Sequence, residues 1–419
     1  MMNPSLLKNL AISALLATGA YILLFWSPHT LGEYVYSKIK LVIFIVPWLA
    51  LWIVYGRQVI TRKDNRIEIC CILAIVILGA FNTWLSDSPG QSILTMRTFL
   101  LTGIFAFWAS MMLLTDEPAR RIFDYFCCGC LAVIGSGELI RLGTAGLYGA
   151  GVFQVFSLHA IPLGTVIILL STGPLMMLTA RPALEKLAGG LVILMSGAEI
   201  YLAHKRGTWV ALAVMGAAAM LYLARRRKRL VVLILLALAL LAPLQAARLY
   251  ARLDPGIPHY LSILNRLELY PFALHIWKTH PVMGMGLRSL TQERYVADYQ
   301  PYNQDLAGFS QTVAQLQTFD NMFLTALVEL GTLLTLCYAV LIIVILARYL
   351  GILRGAAAPR PVDWYRLLVV LGFAVHSLSY DSLLLPPVNW LFHVQLGIMA
   401  GYRDAPAAAC RDRLSARDA

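Results

Sequence analysis

Apolar runs close to twenty residues long, the length a helix needs to cross roughly 30 Å of hydrocarbon, recur along almost the whole chain. They fall at about 9–26, 38–56, 67–85, 95–114, 121–140, 153–180, 187–203, 208–224, 230–247, 321–347, 366–381 and 387–402. The pattern predicts an all-α polytopic membrane protein with about twelve transmembrane helices. It is interrupted once at length, between Arg248 and Phe319, where aromatic, polar and basic residues mix. A loop this long inside a compact protein is uncommon and usually functional, so it is expected to form the lid or wall of a working site. The chain divides accordingly into helices one to nine (1–247), a large loop with short amphipathic helices (248–320), helices ten to twelve (321–402) and a tail (403–419). Within the loop, Tyr260 to His280 has helical periodicity broken at Pro271, with Phe272, Ile276 and Trp277 opposite His275 and Lys278. Such pieces serve equally as anchors in the headgroup plane or as part of a site.

Composition agrees with a membrane reading. Of 419 residues, 59% are hydrophobic and 13% charged, and the mean hydropathy is +0.71. A water-soluble core would have difficulty hiding so much apolar surface. The net charge of +12 reports topology and attraction to anionic headgroups, and nucleic acid is excluded as a partner. The seven cysteines lie mostly in apolar runs without histidines at metal spacing, and read as small buried hydrophobes. The first run has no small-residue cleavage site after it and is expected to be retained as a span.

Lys and Arg give the orientation. Of the 34, 22 flank run ends on the side of the N-terminus, among them Lys8, Arg120, Arg348, Arg360 and the basic stretch 225–229. The excess places both termini in the cytoplasm and the long loop outside. The cytoplasmic connections are too short for a nucleotide-binding domain, and no Walker A pattern occurs, so ATP is not a direct driver. The 12 remaining basic residues include Arg97, Lys205, Arg206, Arg266 and Arg288. Cations collected on the side where topology does not call for them point to an anionic ligand, although each taken singly reads as a snorkelling side chain.

The turn His204-Lys205-Arg206-Gly207 has two adjacent cations and a glycine that lets a ligand approach the backbone. The planar donor fork of Arg matches phosphate oxygens. Further on, His280-Pro281 precedes Gly284 and Gly286, and a mixture of tyrosines and amides follows that suits sugars. Asp320 and Asn321 stand at the start of the tenth run. Asp320 is either a helix cap or a general base facing the cationic cleft, and Glu329, deeper in the same run, is a candidate because acids inside a membrane are rarely idle.

Arg206-Gly207, Arg266, His280-Pro281 with Gly284 and Gly286, and Asn321 with Gly331 together resemble the O-antigen ligase and polymerase superfamily. The resemblance implies a fold like that of C-type glycosyltransferases, placed in the bacterial inner membrane. It implies transfer of a glycan from undecaprenyl pyrophosphate to a sugar hydroxyl on the periplasmic face, without nucleotide sugar, cofactor or metal. By the same resemblance Arg206 and Arg266 hold the pyrophosphate. Where the ligases have a His before the Asn this chain has Asp320, and Leu334 stands where a second glycine is expected after Gly331.

The expected catalytic residues are therefore Asp320, Arg206 and Arg266. Lys205, Arg288 and Arg97 are expected to join the two arginines on the pyrophosphate, and His280, Gly284, Gly286 and Asn321 to support the loop and helix mouth. Expected partners are the undecaprenyl-pyrophosphate-linked glycan, a lipid A–core acceptor and the bilayer. An O-antigen or exopolysaccharide polymerase would use the same chemistry on another lipid-linked repeat. A polyprenyl-lipid transporter would use the same cationic cavity without forming a bond, although the internal repeat common in transporters is not evident.

Overall fold

The computed structural model describes residues 4–25, 66–148, 160–180, 182–203, 206–224, 259–289, 319, 321–356 and 360–402. Among them every regular element is a helix. In chain order these are α1 (Pro4–Phe25), α2 (Arg66–Trp84), α3 (Pro89–Leu113), α4 (Glu117–Tyr148), α5 (Ala160–Leu170), α6 (Thr172–Leu178), α7 (Ala183–Ala203), α8 (Arg206–Ala224), α9 (His259–Thr279), α10 (Met322–Gly355), α11 (Pro361–His376) and α12 (Pro386–Gly401). Four of them, α1, α2, α3 and α10, are long and apolar enough to cross a membrane, and Leu163–Leu178 and Gly207–Met220 are shorter apolar stretches. The expected spans at 38–56 and 230–247, most of the second half of the long loop and the tail lie outside the described residues.

The bundle is built around α12, every residue of which is buried. Its small residues allow close crossing: a methyl at Gly397 or Gly401 would run into Phe107 O or Met111 O of α3. Asn389 of α12 donates to Phe99 O (3.1 Å) and to Thr102 Oγ1 (2.7 Å). Drawing the Phe99 carbonyl away from its own helix accounts for the single wide π turn at Leu100–Ile104.

Three elements differ from expectation. The run 153–180 is divided at Ser171 into α5 and α6, because Pro174 has no N–H to return to Leu170. The run 366–381 stops being helical at His376, where the Ser377 and Ser379 hydroxyls take the Phe373 and His376 carbonyls (2.8 and 2.9 Å). Where the periodicity predicts a break at Pro271, α9 passes through it unbroken. Its buried Leu269, Phe272, Ala273 and Ile276 pack on Phe319, Val328 and Met285, and that packing outweighs one missing backbone bond. His275 and Lys278 are exposed on the other side, as the periodicity predicts. Among the cysteines, Cys127, Cys128 and Cys130 are buried, whereas Cys70 lies at the surface.

One end of the bundle gathers several of the basic residues assigned above to the side of the N-terminus. Arg348 pairs with Glu68 (2.5 Å), Arg360 with Glu117 (2.8 Å), and Lys8 with Asp116. Partial burial pushes the Asp116 carboxyl up, but hydrogen bonds from Lys8 and the Ala119 N–H outweigh it and hold the group below its ordinary value. That tie is complete above the usual carboxylate range and is lost as pH falls through the lowered value. Deeper, Arg366 of α11 binds both Asp124 oxygens of α4 (2.5 and 2.6 Å) and Gln395 of α12 (2.9 Å). Asp124→Asn keeps the shape and removes the charge that Arg366 faces. It is expected to destabilise the protein by about 2 kcal/mol, read as a lower thermal unfolding midpoint in detergent.

Candidate functional site

At the opposite end α10 is broken. Gly331 has φ 75° and ψ 173°, a backbone that only glycine adopts without strain. The break removes the bonds that Thr332 and Leu333 would make to Val328 and Glu329, and the loop after α9 supplies replacements. Met285 N and Gly286 N donate to Val328 O and Glu329 O (both 3.0 Å), while Thr332 N and Leu333 N donate to Pro281 O and Val282 O (2.9 and 3.2 Å). The two backbones touch where both lack side chains. A methyl on Gly284 (φ 72°) would meet Glu329 O, and one on Gly331 would meet Gly284 N. Irregular backbone at membrane depth is tolerated only where it is satisfied by protein or lines a cavity, and here both conditions hold.

Beside the break lies a cavity of about 110 Å³, walled by apolar groups of α2, α3 and α10 and by the turn after α11. Met96, Phe99, Leu330 and Leu334 are among its lining residues, and its two acids are Glu329 and Asp381. Glu329 is 1% exposed. Neither of its oxygens has a hydrogen bond of good geometry, although Asp381 and the Arg288 backbone N–H and guanidinium lie close enough to act on it electrostatically.

Separate stretches of sequence meet at this end. Gly207, at the start of α8, lies against the Ser379 hydroxyl and His376, and His376 is held between Thr165 (3.1 Å) and Thr208 (3.3 Å). Ser377 O accepts from Met322 N at the start of α10 (2.9 Å). Asn321 caps that helix, its Oδ1 accepting from Phe323 N (3.0 Å) and Leu324 N (3.3 Å). Its amide faces the Tyr270 hydroxyl of α9 at 3.4 Å.

The expected residues are distributed as follows. Arg206 is the first residue of α8 and Arg266 lies in α9 one turn before Tyr270, so their backbones flank the mouth of α10; their side chains, with all of Lys205 and Asp320, lie outside the described residues. The helix cap, one of the two readings given for Asp320, is made by Asn321, whose side chain sits directly before the first helical residue. Gly284 and Gly286 are in the docked loop. His280 is half-buried where the loop begins, its carbonyl accepting from Gly284 N (3.0 Å) and its Nδ1 bonded to the Thr279 hydroxyl (2.8 Å). Arg288 is half-buried beside Glu329, with a φ of 57° unusual for a side-chain-bearing residue. Arg97 is exposed on α3, while its neighbours Met96 and Phe99 line the cavity. Asp381, His376 and Asn82 were not foreseen. The polar series Ser377, Ser379, Tyr380, Asp381, Ser382 ahead of Pro386-Pro387 is the signal that marks Asp381 as part of a turn rather than a span.

Residues 190–339 match a family model described as O-antigen ligase. That stretch includes the start of α8, α9, the docked loop and the break in α10. No curated protein matches the chain.

Proposed function

From a chain whose residues 190–339 carry the O-antigen ligase family domain, we propose an inverting glycosyltransferase of the bacterial inner membrane with a C-type glycosyltransferase-like fold. Members of this family are glycosyltransferase-like membrane enzymes that use lipid-linked glycans. In the proposed reaction the O-antigen glycan leaves undecaprenyl pyrophosphate and joins a hydroxyl of lipid A–core at the periplasmic face. Arg206 and Arg266, helped by Lys205 and Arg288, neutralise the diphosphate as it departs, so that developing charge meets preorganised cations. Asp320 takes the proton of the acceptor hydroxyl, which attacks the anomeric carbon from the face opposite the leaving group. No metal and no nucleotide sugar take part.

The observation that supports this reading best is the meeting, at one end of the bundle, of the start of α8, the loop 281–289, the Asn321 mouth and the break at Gly331, beside an apolar cavity. A polyprenyl diphosphate needs both of those surroundings, polar donors for its head and an apolar wall for its tail. Arg206 heads a helix, whose free N–H groups favour an anion. The test is transfer by purified protein from a defined undecaprenyl-pyrophosphate-linked glycan, with lipid A–core and a second lipid-linked repeat competing as acceptors. The expected product is glycan on lipid A–core. Product on the lipid-linked repeat would make the protein a polymerase, and movement of labelled lipid with no new glycosidic bond would make it a transporter.

A further inference from the structure

The connection from α2 to α3 receives the docked loop along a regular register. Asn82 Nδ2 donates to Met283 O, Asp87 N donates to Met285 O (3.1 Å), and Ser92 Oγ donates to Leu287 O (2.8 Å). The Ser86 and Ser289 hydroxyls are bonded to each other (2.8 Å). Every second residue of the loop is therefore held, as along one edge of an extended strand. Ser92 uses its single proton on Leu287, so Ser86 donates to Ser92 (2.6 Å) and Ser289 donates to Ser86. The hydroxyls form a one-way chain that ends on the carbonyl immediately before Arg288. Asn82 also donates to Glu329 O (2.8 Å), tying the same seat to the broken helix.

These groups are closed off: Asn82 is 1% exposed and Ser92 and Ser289 are 0%, so they hold backbone rather than meet a ligand. Arg288 lies between the last two contacts in the left-handed region. A side-chain-bearing residue stays there only when its surroundings over-determine it. The seat lies outside the stretch 190–339, and apolar neighbours would bury the loop equally well without fixing its register.

We propose that Asn82, Ser86 and Ser92 are positioning residues that clamp residues 283–289 and thereby aim Arg288 at the diphosphate of the lipid donor. This rests on Arg288 as a diphosphate ligand in the function proposed above. The seat acts on the head of the donor and leaves the grip on its tail untouched.

The test measures binding of two probes, undecaprenyl pyrophosphate and undecaprenol, to the full chain in nanodiscs. Ser92→Ala is expected to weaken undecaprenyl pyrophosphate about tenfold, the worth of one lost hydrogen bond, and to leave undecaprenol unchanged. Asn82→Ala is a second variant with the same expectation. In an Arg288→Ala background, Ser92→Ala is expected to have no further effect. Parental affinity in folded Ser92→Ala and Asn82→Ala proteins, equal weakening of both probes, loss of folded protein, or full multiplication with Arg288→Ala would overturn the seat while leaving the proposed function standing. Parental binding by Arg288→Ala would remove Arg288 as a ligand, and a parent protein that binds both probes alike would remove the proposed function itself.

Discussion

Arg206→Ala and Arg266→Ala are each expected to lower transfer by about 10²–10³-fold, the scale on which enzymes lose rate when one preorganised donor to developing charge is removed, without moving the thermal unfolding midpoint. In the proposed reaction the leaving group is a diphosphate inside a membrane protein, where charge is poorly screened and a missing cation is not replaced by water. Both backbones stand near the Asn321 mouth, one heading α8 beside the turn after α11, the other a turn away from the Tyr270 that faces Asn321. The core of that end is built from Leu269, Phe272, Ile276, Phe319 and Val328, so the fold is expected to survive either change. Arg206→Lys and Arg266→Lys are expected to fall between, because a point charge keeps the sign but loses the two-pronged fit to phosphate. Initial rates of glycan transfer on monodisperse protein decide it. Near-parental rates from a folded alanine variant would exclude that arginine from the reaction.

How much of this was legible depends on the range over which each signal acts. Apolar length is local, and α2, α8 and α12 fall where the runs predict them, within two residues. The glycines at 284, 286 and 331 were visible as punctuation, but their purpose was not. They allow two backbones from distant parts of the chain to exchange hydrogen bonds at a helix break, and no local pattern encodes that partnership. Asn82 was hidden by its surroundings: inside an apolar run, a lone amide reads as a tolerated polar residue until its two carbonyl partners are known. Asp381 was absorbed into a span because the apolar run 367–375 leads straight up to it, and the polar series from Ser377, whose hydroxyls take the Phe373 and His376 carbonyls, was not given its weight as a helix end. For Arg97, sequence gives the side of the membrane toward which a cation lies but not the helix face it occupies, which here is an exposed one.

Gly331→Ala is expected to be among the most damaging single methyls in the described residues, destabilising by about 2–5 kcal/mol and abolishing transfer with it. Two effects combine. The left-handed backbone costs any L side chain on the order of 1–2 kcal/mol, and the new methyl would press on Gly284 N, Val282 O and the Met283 carbonyl carbon, all of them backbone that cannot rotate aside. Relief requires the loop 281–289 to lift from the break. Lifting it leaves Val328 O, Thr332 N and Leu333 N without the partners they now have and Glu329 O with Asn82 alone, at membrane depth where water does not replace them. The same movement carries Arg288 away from Glu329 and the cavity, so stability and activity are lost together. On the same helix, a methyl added at Gly351 would find nothing within 4 Å. Gly351→Ala is therefore expected to leave the protein unchanged or slightly more stable, because alanine favours helix over glycine. Thermal unfolding of the two variants in one detergent provides the comparison. A Gly331→Ala protein as stable and active as Gly351→Ala would mean that α10 runs straight through residue 331 and that the loop is not docked on it.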